Sequence, residues 1–193
     1  MDVLADLHER DSAERRNGIR DAMSLKALAP SVAQLLVLLI LQKRARVIVE
    51  FGTSHGYSTI HLAAAADRSN GHVYTVDAMP ERIALATENL AAAGLSHRVT
   101  LVTCDGCDFV ASLPGGIDFV LVDYGVPKFA PAYAGIREKI APGGLIFVDG
   151  GPDGYWESKA VCPFKTQLED DPAFLVSILP MQKDHLVAVR IAE

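Results

Sequence analysis

Two patterns of apolar residues divide this chain, and the change between them comes at Arg46. Ahead of it, Met1–Lys26 is polar and helix-compatible, which predicts a surface helix or two, such as Leu4–Arg16 and Ile19–Ala27. Pro30 then stands where helices like to begin, and Val32–Leu41 (VAQLLVLLIL) is apolar on nearly all sides. A helix of that kind must be covered all round, by core packing alone or with a partner subunit. From Arg46 onward, short apolar runs alternate with amphipathic stretches. The runs Arg46–Phe51, His72–Val76, Val99–Thr103, Ile117–Val122 and Leu145–Val148 predict strands. Ser58–Ala66, Pro80–Ala93, Asp108–Leu113, Pro131–Ile140 and Glu157–Leu168 predict helices. Pro80 suits a first helical turn and Gly94 a stop. Phe174–Leu179 and Leu186–Ile191 read as strands joined by Pro180–Asp184, a turn short enough for an antiparallel hairpin.

Five βα units closed by a hairpin give an α/β fold: a doubly wound, mostly parallel sheet with helices on both faces. Strands that are continuous short apolar runs fit a sheet buried on both faces. No repeat or composition shift marks a linker. The expectation is one domain over residues 1–193, with N-terminal helices in 1–45 and the core in 46–193.

Composition narrows the function classes. Half the 193 residues are hydrophobic and 22% are charged, an ordinary globular balance, and the formal net charge is −6. Arg15-Arg16 and Lys43-Arg44-Ala45-Arg46 are the densest basic clusters, too short for a nucleic-acid footprint. Three cysteines make no disulfide framework. Cys104-Asp-Gly-Cys107 is a C-x-x-C with no second pair at zinc spacing, so the thiols read as small apolar filler. The run Val32–Leu41 is about half the length of a bilayer span, and no signal-peptide pattern opens the chain. A cytoplasmic protein that engages neither membrane nor nucleic acid is expected.

The chemistry gathers at the strand ends, where open α/β sheets bind ligands. Glu50, Asp77, Asp105, Asp123 and Asp149 stand at or near the tips of the five parallel strands. Clustered like charges do little for stability, so a site explains them better. Gly52-x-x-x-Gly56 lets the backbone turn sharply and feeds the helix at Ser58, whose N-terminal N–H groups favour an anion. The spacing is neither the dinucleotide G-x-G-x-x-G nor a P-loop. Asp77, at the next tip, can take both hydroxyls of a ribose, and Asp105 an exocyclic amine; helix capping is the plainer role for each.

VIVEFGTSHGYSTIHLA (Val47–Ala63), VYTVDAMPERIALATENLAAAGL (Val73–Leu95), IDFVLVDYGVPKFAPAY (Ile117–Tyr133) and IAPGGLIFVDGG (Ile140–Gly151) resemble the small-molecule O-methyltransferases. These are the catechol and caffeoyl-CoA O-methyltransferases and their short bacterial relatives. The resemblance runs from about Ala29 to the C-terminus and implies a class I, Rossmann-like sheet of seven strands with the last antiparallel. It implies S-adenosylmethionine wrapped by Gly52, Thr53, Ser54, Gly56, Tyr57 and Ser58, with Ser58 on the methionine carboxylate. It also places Asp77 on the ribose, Ala78 and Met79 beside the adenine, and Asp105 and Gly106 along its other edge. Glu50 would support the loop, and Asp123 would sit near the sulfonium. A small-molecule acceptor, methylated at oxygen, is implied as well.

Two departures bear on catalysis. Family members that use Mg²⁺ or another divalent metal hold it with an Asp at the fourth tip and Asp-Asn after the fifth strand. Asp123 and Asp149 match, but Gly150 stands where the Asn is expected, with Asp153 a substitute three residues on. The family's lysine near the acceptor falls at Val126; Lys128, two residues later, either swings in as a catalytic group or is a surface lysine. His55 either faces the acceptor as a base or is a loop residue without a role. Tyr124, Tyr155 and Trp156 either wall an aromatic acceptor or pack their loops. The rival readings are a cofactor-binding module without catalysis, or without metal, and a nicotinamide oxidoreductase, which the glycine spacing disfavours. The Val32–Leu41 helix permits a homodimer without demanding one.

Overall fold

The pattern change at Arg46 is where the sheet begins. The computed structural model describes residues 2–19 and 21–191. Its strands are β1 (Val47–Phe51), β2 (His72–Asp77), β3 (Val99–Thr103), β4 (Ile117–Val122), β5 (Ile140–Gly151), β6 (Phe174–Pro180) and β7 (Asp184–Arg190). They form one sheet in the order β3-β2-β1-β4-β5-β7-β6. The pairings from β3 through β5 are parallel, and β7 runs antiparallel to both neighbours. The expected doubly wound sheet with a closing antiparallel strand is what forms. The order reverses between β1 and β4, which opens a crevice at their carboxyl ends.

Strand alternation sends side chains to two cores. Ile48, Val73, Phe119, Leu121 and Phe147 face a layer built from α1 (Val3–Arg16), α2 (Pro30–Lys43), α3 (Tyr57–Ser69) and α4 (Pro80–Ala92). Val49, Phe51, Val76, Val120, Val122, Ile146 and Val148 face α5 (Gly106–Ser112), α6 (Val126–Phe129), α7 (Tyr133–Lys139) and α8 (Cys162–Glu169). Full burial of a Val, Leu, Ile or Phe contributes about 1.5–3 kcal/mol, so these two layers hold the tips in register.

Several boundaries differ from the sequence reading. The segment after α1 forms no second helix over residues 21–27, and the remaining part of Ile19–Ala27 includes Arg20, outside the described residues. That segment is an irregular strap that begins in a turn, with Ser24, Leu25 and Leu28 buried. The α2 helix is longer than Val32–Leu41 and less covered: Val32, Ala33, Leu36 and Ile40 are buried, while Leu38 is 64% exposed. One buried stripe against α3 and the sheet is enough to hold it. The helix expected over Glu157–Leu168 is a turn at Tyr155–Glu157 followed by α8, because Pro163 fits only a helix's first turn. Likewise Pro131 stands in a 3₁₀ turn, Ala130–Ala132, ahead of α7. β5 extends beyond Leu145–Val148 at both ends.

Candidate active site

The loop after β1 is bonded to the strand tips on either side. Gly52 and Thr53 donate N–H bonds to Val76 O at 2.9 and 3.1 Å, and Asp123 N–H donates to Phe51 O at 2.8 Å. Gly52 has φ +108°, and a Cβ there would lie 2.9 Å from Asp123 O, so no side chain fits between the tips of β1 and β4. Ser54 adopts φ +48°, a left-handed conformation costing about 1–2 kcal/mol outside glycine. Its N–H donates to Asp77 Oδ2 at 3.0 Å and its Oγ to Leu25 O at 3.2 Å, which offsets the strain. Gly56, φ +85°, starts α3, whose first N–H groups have no partner within the helix and open toward the crevice.

Glu50 points to the α3 side of the sheet and is fully buried. Ser58 Oγ donates to its Oε1 at 2.5 Å, and Thr59 Oγ1 and Thr75 Oγ1 donate to its Oε2, each at 2.6 Å. Burial pushes its carboxyl up to about 7, against the downward pull of the three hydroxyls. The Ser58 hydroxyl is therefore committed to Glu50 rather than free for a methionine carboxylate. What Ser58 offers an anion is its backbone N–H.

Asp77 sits at the tip of β2, 7% exposed. Besides Ser54, its carboxylate accepts Met79 N–H at 3.0 Å and Arg82 Nη1 at 3.4 Å. Arg82 also donates from Nε to Ala22 O at 3.1 Å, tying Asp77 to the strap. The strap is pinned from above by α1: Glu14 accepts Leu25 N–H at 2.7 Å, Asp11 accepts Ala27 N–H at 3.1 Å, and Arg15 donates to Ala27 O at 2.9 Å. A cavity of about 440 Å³ lies beneath, walled by Gly52–His55, Tyr57, Ser58, Asp77, Arg82, Asp123, Tyr124, Asp149 and Lys183.

Across the crevice, Asp123 and Asp149 face one another. Burial and the neighbouring Asp149 charge push Asp123 well above the usual carboxylate range. Burial works the same way on Asp149, but His185 and Lys183 outweigh it and hold that carboxyl below its ordinary value. Lys183 Nζ is 2.7 Å from Asp149 Oδ2, and His185 Nδ1 is 3.2 Å from Oδ1. Gly150 cannot be an Asn in this arrangement, since a Cβ would fall 1.7 Å from Asp184 O. Trp156 Nε1 holds that same carbonyl at 2.8 Å. Two carboxylates with both oxygens of one already engaged are a poor set for a hard divalent cation, which takes six or more oxygens. Among the described residues no group of three His, Cys, Asp or Glu side chains is placed to hold a metal. Asp153 is exposed in the turn after β5 and supplies no third ligand to the cavity wall. The residues present do not fit a resident Mg²⁺.

The other sequence candidates divide. Asp105 caps α5, accepting Cys107 and Asp108 N–H at 2.8 and 3.1 Å. With Gly106, Ala78 and Met79 it lies outside the cavity wall, and Tyr124 packs directly over Gly106. Tyr124 stacks on Phe51 at 5.6 Å and does line the cavity. Trp156 is core and Tyr155 packs on Gly151, the loop-packing alternative for both, while Tyr124 alone of the three lines the cavity. Lys128 is exposed at the rim. His55 is buried with neither ring nitrogen bonded, and burial lowers its pKa, which favours the neutral imidazole. Arg15 reads in the sequence only as part of a short basic cluster, Arg82 and Lys183 carry no signal of a role there, and His185 shows no usable pattern. For the last two the signal lies in the topology instead: a β7 antiparallel to β5 brings the start of β7 beside the end of β5, as the Gly151–Asp184 register shows.

Residues 49–150, more than half the chain, match the family model described as a methyltransferase domain. A catechol O-methyltransferase of Niastella koreensis is 30% identical over 138 residues, 69% of this chain and 62% of that protein. A catechol O-methyltransferase of Mycobacterium tuberculosis is 38% identical over 106 residues, 53% of this chain and 48% of that protein. The chain thus matches about half to three-fifths of these relatives' length. The crystal structure of the O-methyltransferase TomG from Streptomyces achromogenes, in complex with S-adenosylmethionine, superposes with a TM-score of 0.82 at 23% identity, covering 100% of this chain and 91% of that one.

Proposed function

The chain belongs to the methyltransferase-domain family, and on that premise we propose that it transfers a methyl group from S-adenosylmethionine to a hydroxyl of a small molecule. The observation that carries this reading is the joint placement of the Gly52–Ser58 loop, the start of α3 and Asp77 around one cavity. At about 440 Å³ it suits a nucleoside-sized ligand. The loop backbone and α3 N–H groups would receive the methionine carboxylate. Asp77 would take the ribose hydroxyls, exchanging its Arg82 contact for them. Asp123, at the switch point, would face the sulfonium and the acceptor. The acceptor oxygen attacks the methyl carbon in line, the C–S electron pair stays on sulfur, and positioning supplies most of the rate.

The catechol O-methyltransferase relatives favour a small acceptor, and Tyr124 in the wall supports an aromatic one. Isothermal titration with S-adenosylhomocysteine tests the cofactor half: no heat at about 1 mM ligand, a limit near −4 kcal/mol, sinks it. A radiolabelled-methyl assay over catechols, phenols and phenolic thioesters tests the acceptor half. Cofactor binding with no transfer to any of them would favour a cofactor-binding module without catalysis.

A further inference from the structure

The tip of β5 holds a charge arrangement that the family resemblance does not predict. Asp149 would need a cation opposite it, and the chain provides one from the β6–β7 turn. Three features seat it. Gly150, lacking a Cβ, lets Asp184 O approach β5; Trp156 Nε1 fixes that carbonyl; and Met181 N–H donates to Lys183 O at 3.0 Å, closing the turn. The Lys183 side chain then reaches back to Asp149 Oδ2 at 2.7 Å and forms part of the cavity wall beside Asp123. His185, 1% exposed and packed on Phe147 at 5.2 Å, fills the space on the other carboxylate oxygen. An ammonium has three donors. One meets Asp149, which leaves two for the cavity.

We propose that Lys183 stands in for the divalent cation of the family, placing a fixed positive charge beside the acceptor oxygen so that transfer needs no metal. This rests on the methyl-transfer reading above. As the C–O bond forms and the methyl–sulfur bond breaks, with its electron pair left on sulfur, the hydroxyl proton passes to water at the cavity mouth. A positive charge near that oxygen stabilises the developing negative charge, the task a Lewis-acidic metal performs elsewhere. Gly150 is then part of the device, because the side chain it lacks would push the turn and its lysine away.

Mn²⁺ uptake, followed by electron paramagnetic resonance, tests the substitution. The full chain is stripped with EDTA, freed of it, and titrated with and without S-adenosylhomocysteine. Wild type is expected to take up no Mn²⁺ at about 1 mM. Lys183→Ala, with Asp149 stripped of its ammonium, is expected to bind Mn²⁺ at least about tenfold more tightly. Lys183→Arg, which keeps the charge, is expected to match wild type. One Mn²⁺ per wild-type chain with a Kd below about 0.1 mM, or equal affinity in wild type and Lys183→Ala, overturns the inference. Calorimetry on the same samples separates the two readings. If wild type fails to bind S-adenosylhomocysteine, the cofactor reading falls, while the Mn²⁺ titration of the unliganded chain still decides the place of Lys183.

Discussion

Glu50 and Asp149 both stand near the ends of strands that flank β4, and both are carboxylates carried into the protein. They are accommodated in opposite ways. Glu50 meets three hydroxyls and no cation within bonding distance, and its carboxyl is pushed up to about 7. Asp149 meets Lys183 and His185 and is held below its ordinary value despite burial. The first arrangement makes a hydrogen-bonded frame, free of any cation, for the loop that would hold the cofactor. The second makes an ion pair open to the cavity, where charge would develop in the proposed transfer. Hydrogen bonds from neutral donors fix a shape; a paired charge keeps one partner available to a ligand. The difference also lies in chain distance. The partners of Glu50 come from the next helix and strand, those of Asp149 from the β6–β7 turn and the start of β7, more than thirty residues later.

The comparison breaks most visibly at Asp77, which belongs to the Glu50 side. Asp77→Ala is expected to weaken S-adenosylhomocysteine binding about 100-fold, near 3 kcal/mol, by titration calorimetry. Unchanged affinity would remove its ribose role, and a variant that keeps the Ser54 contact, Asp77→Asn, should retain more of the fold's stability.

Glu50 sharpens the comparison through pH. A carboxyl that titrates near 7 when folded and near 4.5 when unfolded keeps its proton only in the native state between those values. The native state then holds more protons, so this group's contribution to stability falls as pH rises through that window, by about 3 kcal/mol in all. Glu50→Gln removes the titration. The stability difference between wild type and Glu50→Gln, from urea melts, should therefore shift against wild type from pH 4.5 to 7.5. A flat difference would show that the hydroxyls keep Glu50 ionised.

Gly150→Ala probes the Asp149 side without touching a charge. Its Cβ would meet Asp184 O at 1.7 Å, so the turn must move, at an expected cost of about 1–3 kcal/mol in thermal or urea melts. Little or no loss would mean that the turn is looser than the Trp156 bond implies. The smallest effect is expected at Asp105, which stands on neither side. Asp105→Ala removes the α5 cap, a loss of about 1 kcal/mol in stability, and should change S-adenosylhomocysteine affinity less than about fivefold. A larger drop in affinity would return Asp105 to the adenine.

Local chemistry made much of this legible. The strands of the parallel sheet and the terminal hairpin followed from runs of apolar residues, because burial on both faces leaves no other composition for a strand. The five acids stood out because strand ends recur in sequence. Helix starts were less legible where proline or a cap decided them, as at Pro163 and Asp105. The strap over residues 21–28 overlaps a stretch whose residues predict a helix, since its bonds to Asp11, Glu14 and Arg15 are tertiary and leave no periodic trace.

By itself, the sequence determined the order of elements, the glycine loop, and which acids stand at the tips, because those depend on neighbours along the chain. Only the tertiary structure decided what each acid meets. It turned Ser58 toward Glu50 and brought Lys183 to Asp149 across a hairpin. The reason is physical: a carboxylate's state depends on the donors and charges within a few ångströms, and those arrive from parts of the chain that only folding brings together.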